Sequence, residues 1–188
     1  MRRALTALAT VLLLAGCTTQ DGISGQNTGG YISGDGTVRL VADDARAEVP
    51  AWGGETVDGD SVDSADLDGV VVLNFWYASC PPCRLEATDL EAVYQEYADR
   101  VTFLGVNTKD SAANARAFEE EFGVTYDSIL DVSTRDVMIA FAGDVPPSAV
   151  PTTLVLDAEG RVAARISGML PSQKTLAGIL DDVLAESP

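Results

Sequence analysis

Phe75-Trp76-Tyr77-Ala78-Ser79-Cys80-Pro81-Pro82-Cys83-Arg84 is the stretch whose reading decides the fold. Ahead of it, Val70 to Leu73 is an unbroken apolar run rich in β-branched residues, as a strand buried on both faces should be. Behind it the pattern changes to helical spacing. Leu85, Leu90, Val93 and Tyr94 are expected on one apolar face, with charges between them. Two cysteines separated by two residues therefore sit where a buried strand turns into a helix. That placement marks a thiol–disulfide centre, although the spacing by itself also fits half a zinc site.

Composition narrows the choice. The chain has 188 residues, 46% of them hydrophobic, enough for one domain with a sizeable core and a tail. Twelve Lys and Arg against 29 Asp and Glu give a formal net charge of −17. Such a surface disfavours nucleic acid and acidic lipid as electrostatic partners. Histidine is absent altogether, which removes Ser-His and Cys-His catalysis and the usual zinc and copper sites. With no second C-x-x-C either, no metal is expected.

The N-terminus reads as an address. Arg2 and Arg3 precede an uncharged apolar segment, Ala4 to Ala15, that fits a secretory signal and is short for a membrane span. It ends Leu14-Ala15-Gly16-Cys17, which resembles the bacterial lipobox, where the cysteine becomes the lipidated first residue. An ordinary signal cut elsewhere, with Cys17 incidental, is the alternative. The expected division is a lipoprotein signal peptide over 1–16, a flexible tether rich in Thr, Ser, Gly, Asn and Gln over 17–36, and a folded domain over 37–188. Lipid on Cys17 would hold the protein at the outer face of the cell membrane. In that compartment disulfides form and persist, and only Cys80 and Cys83 remain to use the chemistry.

Along the domain the pattern predicts an edge strand at 37–41, a polar connection at 43–50, and turns with one short helical turn at 55–69. A helix at 82–98, a strand at 101–106 and a helix at 111–122, capped by Asp110 or Ser111, come next. Then come a short apolar strand at 128–130, a helix at 133–141, a strand at 152–156, a turn at 157–160 and a returning strand at 161–166. Ser172 is placed to cap a last helix carried by Leu176, Ile179, Leu180, Val183 and Leu184. This order is an α/β arrangement around a mixed sheet.

Five pieces in sequence carry a resemblance: Asp-Leu-Asp-Gly at 66–69, Val-Leu-Asn-Phe-Trp at 72–76, Cys-Pro-Pro-Cys-Arg-Leu-Glu at 80–86, Val-Pro-Thr-Thr-Leu-Val-Leu-Asp at 150–157, and Gly160. From about residue 48 to 184 the chain resembles the TlpA/ResA family of membrane-tethered thioredoxin-like proteins, with ResA-like and CcsX-like lipoproteins the most similar. It departs from the family at Ser79, where Trp is usual, and at Thr88, where Pro is usual. The resemblance implies a thioredoxin-like fold, a central mixed β-sheet flanked by helices, with an N-terminal extension.

Each site residue then has an expected part. Cys80, at the start of a helix, is the thiolate nucleophile, favoured there by unpaired N–H groups and the helix dipole. Cys83, one turn further in, is buried and resolves the mixed disulfide; a purely structural disulfide is the alternative. Pro81 and Pro82 suit a first helical turn and leave few donors beside Cys80. A modest lowering of its pKa and a reducing couple follow, nearer about −270 mV than about −120 mV. By resemblance Glu86 lies near the dithiol, raising thiol pKa values and shuttling a proton. From the residues alone it could equally be a solvated first-turn glutamate. Pro151 matches the family's cis position, leaving the Val150 backbone free to pair with a client strand. Trp76, as a wall of the site, joins Pro81, Pro82, Val150 and Pro151 as the expected substrate-binding set.

The function expected is reduction of protein disulfides outside the cytoplasm, with no cofactor beyond the Cys80–Cys83 dithiol. The resemblance suggests apocytochrome c as client, in cytochrome c maturation, and a membrane electron donor of the CcdA or DsbD type. A disulfide-forming oxidase or isomerase, a peroxiredoxin, a non-catalytic binding module and a copper-binding assembly protein are the alternatives.

Overall fold

Every residue of the apolar run ahead of the cysteines is buried, and it forms the central strand of the domain. The computed structural model describes residues 30–32, 36–146 and 149–186. The signal peptide, Cys17 and most of the tether lie outside the described residues. In chain order the elements are β1 (Gly30–Ile32), β2 (Gly36–Leu40), β3 (Gly53–Glu55), β4 (Ser61–Asp63), β5 (Val70–Trp76), α1 (Pro81–Tyr97) and β6 (Val101–Asn107). Then follow α2 (Ala112–Phe122), β7 (Ser128–Leu130), α3 (Asp136–Ala140), β8 (Thr152–Leu156), β9 (Val162–Gly168) and α4 (Gln173–Glu186).

Among the described residues the main sheet has seven strands in the order β1-β2-β9-β8-β5-β6-β7. β5, β6 and β7 are parallel, while β8, β9, β2 and β1 add to the other side antiparallel. On one face Val70, Val72, Val155, Ala164 and Ile166 pack under α1 and α4 through Leu90, Val93, Leu176, Ile179 and Leu180. On the other, Val71, Leu73, Phe75, Leu154 and Leu156 pack with Trp52, Phe141 and Val145. A central side chain such as Leu73, with no exposed surface, stabilises by about 2–5 kcal/mol relative to Ala. A third, smaller cluster joins Val57, Trp76, Cys80, Cys83, Ala87, Ala115 and Phe118 beyond the end of β5.

The thioredoxin-like sheet flanked by helices is the expected fold, and it differs from expectation in detail. Leu85 does not share the buried face of α1: it is 70% exposed, and Glu86 turns inward instead. The buried positions are Cys83, Glu86, Ala87, Leu90, Val93 and Tyr97, one continuous helical stripe that Leu85 does not join. The helix also begins one residue earlier, at Pro81. Residues 55–69 contain more than turns, because β3 and β4 pair as a separate hairpin before the short helical turn Ser64–Asp66. Within the span read as tether, Gly30–Ile32 pairs antiparallel with β2. α3 is shorter than the 133–141 expected. Ser111, not Asp110, caps α2 by accepting the Asn114 N–H, and Gly123, at φ 68°, closes that helix.

Candidate active site at the start of the first long helix

Cys80 is the N-cap residue of α1, with extended backbone angles. Pro81 and Pro82 fill the next two positions and have no N–H to offer. The first free N–H of the helix therefore belongs to Cys83, and it donates to Cys80 Sγ at 3.2 Å. A helix N-terminus concentrates unpaired donors and positive dipole, and here a single donor delivers that field to the sulfur. Cys80 and Cys83 are joined by a disulfide. Both are buried, Cys80 at 1% and Cys83 at 2% exposure, whereas the sequence reading buried only Cys83. Half-buried Tyr77, Ala78 and Val150 pack on the cluster that holds the pair. Ser79 and Pro81 are exposed beside the pair and Pro82 is half-buried. Trp76 is 3% exposed and its ring lies 4.3 Å from that of Phe118, so its side chain backs the dithiol and does not face solvent.

Glu86 is 1% exposed, which disposes of the solvated alternative. One carboxylate oxygen accepts from Asn74 Nδ2 at 3.1 Å and the other from the Leu170 N–H at 2.6 Å. Asn74 Nδ2 also reaches Thr153 Oγ1 at 3.1 Å. Among the described residues Glu86 has no ion-pair partner. Burial outweighs the two donors, and with a smaller push from Asp89 it raises the Glu86 pKa to about 7. Asn74 and Cys83 line a common cavity of about 10 Å³ behind the disulfide, space for about one water.

The Val150–Pro151 peptide bond is cis. Pro151 is buried, and its carbonyl accepts the Gly168 N–H at 2.9 Å. Next in the chain, Thr152 is paired on both sides, with Phe75 of β5 and Ser167 of β9. Val150 makes no backbone hydrogen bond among the described residues. The structure thus brings Cys80, Cys83, Trp76 and Val150 into one cluster, with Glu86 linked to it through Asn74.

Sequence reasoning missed Asn74, Thr153 and Leu170. Asn74 left a signal: it is the one polar residue in the seven-residue run of β5, and a buried polar group must find a partner. Leu170 left none, because it contributes only its backbone.

A dithiol at the head of a helix, with the residue before a cis-proline packed on the same cluster, on a mixed sheet of this order, is the arrangement of the thioredoxin-like class. A sequence model of the AhpC/TSA family matches residues 45–165, and the chain belongs to that family. The fold is similar to the crystal structure of a DsbF homologue from Corynebacterium diphtheriae, with TM-score 0.72 and 36% identity, covering 81% of this chain and 96% of that one. It is similar also to a secreted thiol-disulfide isomerase from Corynebacterium glutamicum, with TM-score 0.73 and 30% identity, covering 84% of this chain and 99% of that one. The thiol-disulfide oxidoreductase ResA of Halalkalibacterium halodurans is 27% identical over 121 residues, 63% of this chain. That match spans 66% of the relative, just under two thirds of its length. These likenesses bear out the resemblance to ResA-like proteins.

Proposed function

We propose that the protein is an extracytoplasmic thiol–disulfide oxidoreductase that reduces disulfides in other proteins. The observation that carries this is Cys80 as N-cap of α1, its sulfur accepting the first free N–H of the helix from Cys83. In the reduced protein that N–H and the helix dipole favour a Cys80 thiolate, the attacking species in disulfide exchange. The thiolate attacks one sulfur of a client disulfide, a mixed disulfide forms, and the client's other sulfur leaves and takes up a proton. Cys83 then gives up its proton and attacks Cys80 Sγ. The second client thiol departs, and the Cys80–Cys83 disulfide carries the two electrons' worth of oxidation. Glu86, with a pKa of about 7, is suited to exchange the proton that Cys83 releases and regains. Unpaired Val150 would hold the client backbone beside Cys80.

Reduction is favoured over oxidation because Pro81 and Pro82 leave Cys80 a single helix donor, and because a nearby acid without a cation disfavours thiolate. No cofactor beyond the dithiol is required. The cycle needs re-reduction, for which a CcdA- or DsbD-type membrane donor is the reading. Lipid on Cys17 would keep the domain beside such a donor, and apocytochrome c is the client proposed. Support for the compartment comes from the leader-like N-terminus and from the secreted relative in C. glutamicum.

The test is to express Cys83→Ser in the native host and identify what is disulfide-linked to Cys80. Recovery of secreted proteins with paired cysteines is expected, and a Cys80→Ser control that captures the same proteins would sink the mechanism. Equilibration with glutathione should place the couple near about −270 mV; a value near about −120 mV would overturn the reductase assignment. Isomerase activity is the second reading, favoured by the name of the C. glutamicum relative. Recovery of scrambled ribonuclease without added reductant would select it.

A further inference from the structure

β5 and β6 run parallel and in register until Trp76 stands opposite Asn107. Beyond that pair the two strands end, and the three residues that follow β6 hold Trp76, Tyr77 and Ala78 in turn. Thr108 holds Trp76: its backbone N–H and its hydroxyl donate to the Trp76 carbonyl at 3.1 and 3.3 Å. Lys109 holds Tyr77, with its ammonium 3.7 Å from the centre of the ring. Asp110 holds Ala78, its Oδ2 accepting the Ala78 N–H at 2.6 Å. The same oxygen accepts from Asn107 Nδ2 at 2.9 Å. Asn107 Oδ1 in turn accepts the N–H groups of Asp110 at 2.8 Å and of Lys109 at 3.2 Å, which fixes the Asp110 carboxylate in place.

From the other side Arg84, in the first turn of α1, donates Nη1 to the Ala78 carbonyl at 3.3 Å. Both backbone polar groups of Ala78 are therefore held by side chains, two residues before Cys80. Secondary structure does not require Asp110 for anything else, since Ser111 caps α2.

We propose that Asp110, with Arg84 as its counter-arm, is a positioning residue for the redox reaction. It fixes the 77–79 turn so that Cys80 Sγ lies on the Cys83 N–H, the only donor the two prolines leave it. The proposal rests on the thiol–disulfide reading of Cys80. Removing the acceptor at 110 frees the Ala78 N–H, lets the turn relax and separates the sulfur from its donor, so the thiolate loses stabilisation.

The test uses the full reduced chain and the rate of Cys80 alkylation by iodoacetamide from pH 5 to 9, with the modified residue assigned by mass spectrometry. In Asp110→Ala the Cys80 profile should move to higher pH, and the rate at pH 7 should fall about tenfold, the scale of one lost hydrogen bond to a charged group. Asp110→Asn keeps a carbonyl acceptor and should restore the rate to within about threefold of the parent. A folded Asp110→Ala with the parent's profile overturns the proposal. So does an Asp110→Asn as impaired as Asp110→Ala, which would show charge and not position at work. If Asp110→Ala does not fold, Asp110→Ser, whose hydroxyl falls short of Ala78, is read in the same way. Insulin reduction is measured in parallel: a parent protein inactive there strikes the functional reading, while the alkylation profile still decides on Asp110.

Discussion

Asp157 and Glu86 are buried carboxylates near opposite ends of the same sheet, at 3% and 1% exposure, and they are treated differently. Asp157 follows β8 at the end remote from the dithiol. Its Oδ2 meets Arg46 at 3.1 Å and Arg161 at 2.8 Å, and its Oδ1 accepts the N–H groups of Glu159 at 3.1 Å and Arg161 at 2.8 Å. The Arg46 side chain is itself 4% exposed and reaches Glu186 at 2.6 Å. The Asp157 carboxylate is held by two guanidiniums. Glu86 has two donors, both uncharged, and burial leaves it able to take up a proton near neutrality. The difference separates a buried charge that fixes structure from one available for chemistry.

The comparison can be broken most directly at Arg46. Arg46→Ala should cost about 3–5 kcal/mol in urea unfolding, because it strands Asp157 with one cation, and it should leave disulfide reduction by the folded protein unchanged. A mild stability loss, or a fall in activity, would erase the distinction between the two ends. Next in size is the pH dependence set by Glu86. Its folded pKa is raised to about 7 from 4.5, so its favourable contribution is complete below pH 4.5 and is lost as pH rises through 7. Relative to Glu86→Gln, the oxidised parent should lose about 3 kcal/mol of stability between pH 4 and pH 8. Equal pH slopes for the two proteins would count against an uncompensated acid. Asn74→Ala should have a smaller effect, moving the Glu86 pKa upward by about one unit, since one donor to its ionised form is gone. The pH profile of insulin reduction would then shift to the alkaline side; a shift to acid would contradict the role given to Asn74. Least of all, Ser79→Trp should change stability by under about 0.5 kcal/mol, as expected for an exposed position, and alter KM for a client more than kcat.

Much of this was legible in the chain before its coordinates. The β5 run, the switch to helical spacing after Cys83 and the Val150-Pro151 pair are local signals, and the fold follows from their order. What escaped was decided by distant partners. Leu85 and Glu86 are neighbours on one helix, and apolarity put Leu85 on the buried face; Glu86 takes that side instead, its carboxylate met by the N–H of Leu170, 84 residues away. The β3 and β4 strands are three residues each, with burial that is partial or absent, so no alternation betrayed them. Asp110 and Ser111 are both good caps, and only the approach of Ala78 shows why the serine takes that role.

The double pairing of Thr152 has a consequence for residence time. Any client strand that binds the Val150 backbone cannot extend that pairing along β8, because Phe75 and Ser167 already occupy both of its sides. On the proposed reading the grip would be confined to the backbone groups of one residue, about 1–3 kcal/mol for two hydrogen bonds. Contact that brief would suit passage from one partner to the next: once a covalent link to Cys80 were resolved, little would remain to delay departure, and partners of unrelated sequence would share the same landing point.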